Sequence, residues 1–195
     1  MQKLFVDMDG TLYRFHDDIL DESGHVQIDK MYEDGFFINL KRFENVVACL
    51  RDLHDAYPDI EIYILSAAED LDIIQQKDMS IDRDLSFIDN EHRIYVGFGE
   101  NKANYAFNLF VDGDVPRSEC VLLDDYNKNL KEWQAAGGRA IKLINNINNR
   151  GLGAYGGDIG NLWDGESVSY DMDSNAMINV LFGDSQSSVS DVSMF

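Results

Sequence analysis

Apolar and polar positions alternate in two rhythms along this chain. Five short apolar runs, at Lys3–Val6, Glu61–Leu65, Arg93–Gly97, Cys120–Leu123 and Arg139–Ile144, have the length and residue types of buried strands. Between the first two the period lengthens. Phe43, Val46, Val47, Leu50, Leu53 and Tyr57 recur at i, i+3, i+4 and i+7, which lays them on one face of a helix that Pro58 ends. Asp70–Met79 carries a weaker helical pattern. Asn101–Phe110 and Asn127–Ala136 carry stronger ones, and Gly137-Gly138 stops the last. Strands that alternate with helices predict an α/β fold: a Rossmann-like three-layer α/β/α sandwich with a mainly parallel five-stranded sheet. In such sheets ligands bind beyond the carboxyl ends of the strands.

Two regions break the rhythm. Tyr13–Leu40 is rich in Asp, Phe and Tyr without clear periodicity, and is expected to be a small insertion or lid, at about 13–40. From Asn145 onward an Asn-rich stretch leads into a glycine-dense loop at Gly151–Gly165, and Ser167–Phe195 contains no Lys or Arg. The extension is expected to run over 151–182. Residues 183–195, rich in Ser and Asp, are expected to be a disordered tail. No internal repeat is present.

Composition narrows the function classes. A length of 195 residues suits one domain with a small insertion. The formal charge of −20 argues against a nucleic-acid polymer or an anionic membrane surface as the partner. It leaves room for a small phosphate ester, because a bound divalent cation can reverse the local sign. The two cysteines, Cys49 and Cys120, fall in helical and strand patterns and read as buried small hydrophobes. There is no signal-peptide pattern and no apolar run of membrane-spanning length, so the cytoplasm is the expected location.

The candidate chemistry lies just after the strands. The first is followed by Asp7 and Asp9, the second by Ser66, the third by Gly99-Glu100-Asn101-Lys102, and the fourth by Asp124-Asp125. Asp7 and Asp9 are expected to share one site if the strand ends at Asp7 and the chain turns at once, a turn that Gly10 permits. Carboxylates at a strand edge make a hard, oxygen-rich site that suits Mg²⁺, and they supply a nucleophile and an acid/base. Each feature alone has a plainer meaning. A strand-end Asp or Ser commonly caps a helix, a lone lysine lies on the surface, and an Asp-x-Asp pair could be a glycosyltransferase metal site. Together on one edge, carboxylates, a hydroxyl and an ammonium match what a phosphoryl group needs.

The order DMDGTL, ILSAA, GENKANYA and VLLDDYNKNL resembles the four motifs of the haloacid dehalogenase (HAD) superfamily of phosphohydrolases, over Lys3 to about Ile144. Within it the chain is similar to the deoxyribonucleotide 5′-nucleotidases of type C, through Gly35-Phe36-Phe37, the paired acids of the fourth motif, and Asn129–Trp133 running into Ala136-Gly137-Gly138. The resemblance implies a phosphatase core over 1–150 and a Mg²⁺-dependent hydrolysis of a phosphate monoester. Asp7 would be the nucleophile, forming an aspartyl-phosphate. Asp9 would protonate the leaving alkoxide and then deprotonate water. Ser66, Lys102, Gly10 and Thr11 would bind the phosphoryl group. Asp7, the backbone carbonyl of Asp9 and one of Asp124 and Asp125, with Asp125 favoured, would hold Mg²⁺. The implied substrates are (deoxy)nucleoside monophosphates.

The span between the first two motifs leaves only a short cap, which keeps another small ester, such as a sugar phosphate, as the alternative. A non-catalytic HAD-fold binding module is the alternative of a different class. Tyr13, Phe15, Phe36 and Phe37 could stack on a base, although packing beneath the insertion is the expected role. Trp163 and Tyr155 could border the same edge or form a small satellite core.

Overall fold

The computed structural model describes residues 2–22, 25–109, 115–145 and 163–183. Its sheet contains β1 (Gln2–Val6), β2 (Ile60–Ala67), β3 (Arg93–Val96), β4 (Cys120–Asp124), β5 (Arg139–Ile144) and β6 (Ser167–Ser169). All pairs are parallel, in the order β3-β2-β1-β4-β5-β6. The first strand is therefore central. Leu4 and Val6 lie beside Ile62 and Ile64 of β2, and beside Val121 and Leu123 of β4. The chain adds β2 and β3 on one side of β1, then returns to add β4, β5 and β6 on the other. The switch in direction opens a crevice beyond the ends of β1 and β4.

The expected five-stranded sheet has six strands. Ser167-Val168-Ser169 pairs with Lys142–Ile144, and of its three residues only Val168 is buried. One apolar residue between two serines carries no strand rhythm. The helix that follows, Ser174–Phe182, was also unexpected; Met177, Ile178, Leu181 and Phe182 form its buried stripe, and Asp173 caps its start by accepting from the Ala176 amide (3.0 Å).

The helices cover both faces as the parallel sheet requires. They are α1 (Phe15–Ile19), α2 (Phe36–Asn39), α3 (Glu44–Ala56), α4 (Leu71–Asp84), α5 (Lys102–Leu109), α6 (Asn127–Ala135) and α7 (Ser174–Phe182). Alternation along β1 divides the core. Leu4 and Val6 join the cluster built with α3 and α7, including Val46, Val47, Leu50, Met177 and Leu181. Phe5 points the other way, into a cluster with Phe107 of α5 and Leu130 and Trp133 of α6. The Trp133 ring is fully buried against Phe5 and Phe107, and its indole N–H donates to the Cys120 carbonyl (3.1 Å). Burial of a ring of this size stabilises by roughly 3 kcal/mol. Gly137, in the left-handed region at φ 97°, ends α6 where the sequence places its stop.

One helix differs from its sequence pattern for a physical reason. The expected Asp70–Met79 helix runs as far as Asp84 and is capped by Asp70, which accepts from the Asp72 amide (2.7 Å). Its buried face is Ile73, Lys77, Ser80, Ile81 and Asp84. Three of those five residues are polar, so hydrophobicity fades along a face that is nonetheless interior. Among the described residues of 13–40, the expected insertion, the helical elements are α1, a 3₁₀ turn at Ile28–Tyr32, and α2. Within it Phe15, Phe36 and Phe37 pack on one another at 5.1 to 6.1 Å between ring centroids. Tyr13 is buried and donates to Asp84 Oδ2 (3.0 Å). Trp163 packs against the α5–α6 core and donates to the Glu166 carbonyl (2.8 Å). Tyr155, most of the glycine-dense loop and residues 184–195 lie outside the described residues.

Candidate active site

The end of β1 is a tight knot. The Asp7 amide donates to Leu123 O (3.0 Å), still in sheet register, and the chain then folds back so that the Thr11, Leu12 and Tyr13 amides all point at Met8 O (2.9 to 3.2 Å). Gly10 sits at φ 85°, and a Cβ there would run into the Asp125 carboxyl carbon at 2.7 Å and into the His16 ring. Only glycine meets both demands. Strand β1 ends at Val6, so the same-face rule for residues two apart no longer holds here, and it is this turn that sets Asp9 on the edge where Asp7 lies.

Asp7, Asp124 and Asp125 form a buried group whose carboxylate oxygens lie within 4.8 Å of one another. Lys102, in the first turn of α5, donates to Asp7 Oδ1 (2.6 Å) and Asp124 Oδ2 (2.8 Å). Its start is fixed by Asn101, whose side chain accepts from the Asn104 amide (2.9 Å). The Asp124 carboxylate is further held by the Asn129 amide group (2.9 Å) and the Tyr126 backbone N–H (2.8 Å). Asp125 accepts from Asn145 (2.9 Å), which also donates to Gly10 O (2.8 Å), and the His16 ring lies 3.9 Å away.

Asp9 faces a different cation. Lys77 of α4 donates to Asp9 Oδ2 (2.6 Å), Ser66 Oγ (2.9 Å) and Ala67 O (2.8 Å), and lies 4.8 Å from the centre of the Phe37 ring. A lysine has three donors, and all are engaged. Asp9 Oδ1 and Thr11 Oγ1 are buried and have no hydrogen-bond partner among the described residues. Ser66 accepts from Lys77, which leaves its own proton for another acceptor. The Gly10 and Thr11 amides are engaged inside the turn, with Tyr13 O (2.8 Å) and Met8 O (3.2 Å).

Charge crowding governs the site. Burial, opposed by Lys102 and reinforced by Asp124 and Asp9, pushes the Asp7 carboxyl up to about 7. Burial, with Asp124 and Asp7 beside it, raises Asp125 well above the usual carboxylate range. Burial works against the charge on Lys102, but Asp124 and Asp7 outweigh it and raise its pKa. Burial lowers His16 to about 4, which keeps the ring neutral. Ionised together, three buried carboxylates beside one ammonium would carry an excess of negative charge, which adds to burial in raising Asp7 and Asp125. Oxygen donors in this number and spacing fit a hard divalent cation such as Mg²⁺, which would relieve that excess.

Every side chain singled out after a strand in the sequence thus lies on one edge: Asp7, Asp9, Ser66, Lys102, Asp124 and Asp125. Sequence reasoning missed Lys77, Asn145 and His16. Lys77 had a readable signal, since it falls four residues after Ile73 and four before Ile81, on the buried face of α4. Asn145 and His16 follow or open short elements and carry none.

The site opens into a cavity of about 500 Å³. Its floor includes Asp7, Asp9, Lys102 and Asp125, and its walls include Phe15, Met31, Tyr32, Phe98 and Tyr126.

No family model matches the sequence, and no curated protein matches it as a relative. Solved structures do share its fold. D,D-heptose 1,7-bisphosphate phosphatase from B. bronchiseptica, complexed with magnesium and phosphate, superposes with a TM-score of 0.62 at 12% identity, over 94% of this chain and 99% of that one. A HAD family hydrolase from Deinococcus radiodurans R1, with bound phosphate and sodium, gives 0.60 at 12% identity, over 94% and 96%. L-2-haloacid dehalogenase from Xanthobacter autotrophicus gives 0.57 at 10% identity, over 94% and 99%. The chain therefore has the fold of the HAD hydrolases.

Proposed function

We propose that this chain is a Mg²⁺-dependent phosphatase that hydrolyses phosphate monoesters through an aspartyl-phosphate on Asp7, with (deoxy)nucleoside 5′-monophosphates as substrates. The observation that carries this reading is the buried floor where Asp7, Asp124 and Asp125 meet Lys102 at the switch point of the sheet. Asp7 attacks phosphorus, the Asp7–phosphorus bond forms, and the bond to the leaving alkoxide breaks. Asp9 gives that alkoxide a proton. It then takes one from water, whose oxygen displaces phosphate from Asp7 and restores the carboxylate. Asp9 Oδ1, without a partner among the described residues, suits this exchange, while Lys77 holds Oδ2. Lys102 offsets charge on Asp7, and Ser66 offers its proton to a phosphoryl oxygen.

Bound Mg²⁺ would supply a Lewis acid and a template for the phosphoryl group. Asp7, the Asp9 carbonyl and Asp125 would hold it. Asp125 is preferred to Asp124 because the oxygens of Asp124 already accept from Lys102, Asn129 and the Tyr126 amide. The similarity to type C nucleotidases in the motifs supports the nucleotide substrate. A sugar phosphate is the second reading, favoured by the likeness to heptose bisphosphate phosphatases. We place the protein in the cytoplasm, in keeping with its two free, buried cysteines.

The test is a phosphate-release screen over nucleotides, deoxynucleotides and sugar phosphates with Mg²⁺. Release is expected from nucleoside monophosphates, and loss of release in Asp7→Asn and in EDTA. Preference for sugar phosphates would remove the nucleotidase reading alone. Release that survives both controls, or no release from any ester, would remove the mechanism.

A further inference from the structure

We propose that the core loops after β3 and β4 form a ring-binding subsite, in which Phe98 and Tyr126 grip the flat base of a nucleoside monophosphate and Tyr32 and Ile28 of the insertion complete the wall. This rests on the phosphatase reading for the position of the phosphate. It assigns recognition of the base to residues of the sheet's own loops rather than to the aromatic cluster of the insertion.

Three observations carry it. First, the cluster of Phe15, Phe36 and Phe37 is occupied with itself, through mutual ring contacts. Second, large apolar side chains gather in the open where the cavity meets solvent: Ile28 is 59% exposed, Tyr32 60%, Phe98 41% and Tyr126 40%. Among the described residues, the rings of Tyr32, Phe98 and Tyr126 stack on no other ring. Exposed rings of this kind, around a polar floor, are what a planar ligand would cover. The carboxylates are buried while the rings are exposed, so a ligand that reaches both needs a spacer between phosphate and ring, as a pentose provides.

Third, both rings stand on backbone that is tied down. The Phe98 amide donates to Glu69 Oε1 (3.0 Å), and the Gly97 amide to Glu100 Oε2 (3.2 Å). Lys128 reaches across from α6 to Gly99 O (3.0 Å), which joins the two loops. The Tyr126 amide is held by Asp124, the same carboxylate that Lys102 grips. The ring platform is thus fixed to the phosphate floor, and little ordering remains to be done when a base arrives. Sugar hydroxyls, by contrast, would meet a wall made largely of Val26, Ile28, Met31, Val96 and Phe98.

The test uses the full chain carrying Asp7→Asn, in Mg²⁺, and measures calorimetric binding of adenosine 5′-monophosphate, ribose 5-phosphate and phenyl phosphate. The nucleotide is expected to bind at least tenfold more tightly than either of the others, the size of effect that base–aromatic stacking gives. Adding Phe98→Ala or Tyr126→Ala should cut that ratio about fivefold or more, and Tyr126→Phe should restore it. Equal affinities for nucleotide and ribose 5-phosphate, tighter binding of phenyl phosphate, or a ratio unmoved in both alanine variants would overturn the subsite. Binding does not require turnover. Ring preference without phosphate release in the wild type would keep the subsite and discard the chemistry; release without ring preference would do the reverse. No binding of any of the three would overturn the subsite as well.

Discussion

Lys77 ties together groups that the sequence places far apart. Its ammonium is buried and joins Asp9, Ser66 and the backbone of β2, and it does so from a helix whose exposed side gives no hint of it. A lysine on a helix normally reads as a solvated residue, which is why the strand-end carboxylates stood out and this partner, despite its place in line with Ile73 and Ile81, was passed over. Asp7, Asp9, Ser66, Lys102 and Asp124-Asp125 stood out because each polar group interrupts or follows an apolar run. Lys77 interrupts a helical stripe that already contains Ser80 and Asp84. Replacing Lys77 with Met should lower kcat/KM by roughly 10²-fold, the cost of losing one aimed donor, and Lys77→Arg should not rescue it, because a planar fork cannot reproduce three donors at one point. A phosphate-release assay with thermal melts to verify folding checks this. At Gly10 the constraint is steric. Gly10→Ala should abolish activity, since its methyl must displace the Asp125 carboxylate or the turn itself, and the melting temperature should fall with it.

Among the elements, the insertion is joined to the core through Asp84 at the end of α4. Its carboxylate accepts from Tyr13 (3.0 Å), Arg42 (2.5 Å) and Arg83 (2.6 Å), and its carbonyl accepts from Arg51 (2.7 Å). Burial alone would raise the Asp84 pKa, but the bonds from Arg83, Arg42 and Tyr13 outweigh it and hold it below the ordinary value. A carboxylate depressed in the folded state stabilises fully above its unfolded pKa, and that contribution is lost as pH falls through the folded value. Asp84→Asn should therefore melt at a lower temperature than wild type near neutrality, by about 3 kcal/mol of stability, and the gap should narrow in acid below about pH 4. Melting curves of both proteins across that range check the sign. The elements missed in sequence, β6 and α7, are held in a similar way. Arg139 pairs with Glu166 and donates to the Leu181 and Val180 carbonyls (2.5 and 2.8 Å), clamping the end of α7 beside the sheet. β6 has no apolar rhythm of its own, and α7 carries its capped apolar stripe over only nine residues, so their placement depends on contacts with β5 and α3. The helices α3, α5 and α6, the first part of α4, and the first five strands were legible, because there the apolar rhythm matches burial.

For the whole molecule, the central problem is charge. A chain with formal charge −20 is proposed to bind a dianionic ester, and its site adds buried carboxylates that already repel one another. A bound divalent cation would resolve both difficulties at one place, and the parallel sheet resolves the geometry by delivering four strand ends to one crevice. Mg²⁺ should therefore raise the melting temperature of the wild type, by an amount equivalent to about 2.7 kcal/mol at a hundred times its dissociation constant, and should fail to do so in Asp125→Asn. Among the described residues no helix is long and apolar enough to cross a membrane.

The central claim is that Asp7 carries the phosphoryl group between substrate and water. Its most direct test is peptide mass spectrometry on protein acid-quenched during turnover of an ester that the release screen selects. A phosphoryl group on Asp7, absent in Asp7→Asn and absent when Mg²⁺ is chelated, is the expected result. Sustained turnover with an unmodified Asp7, or a phosphoryl group on another residue, would contradict it.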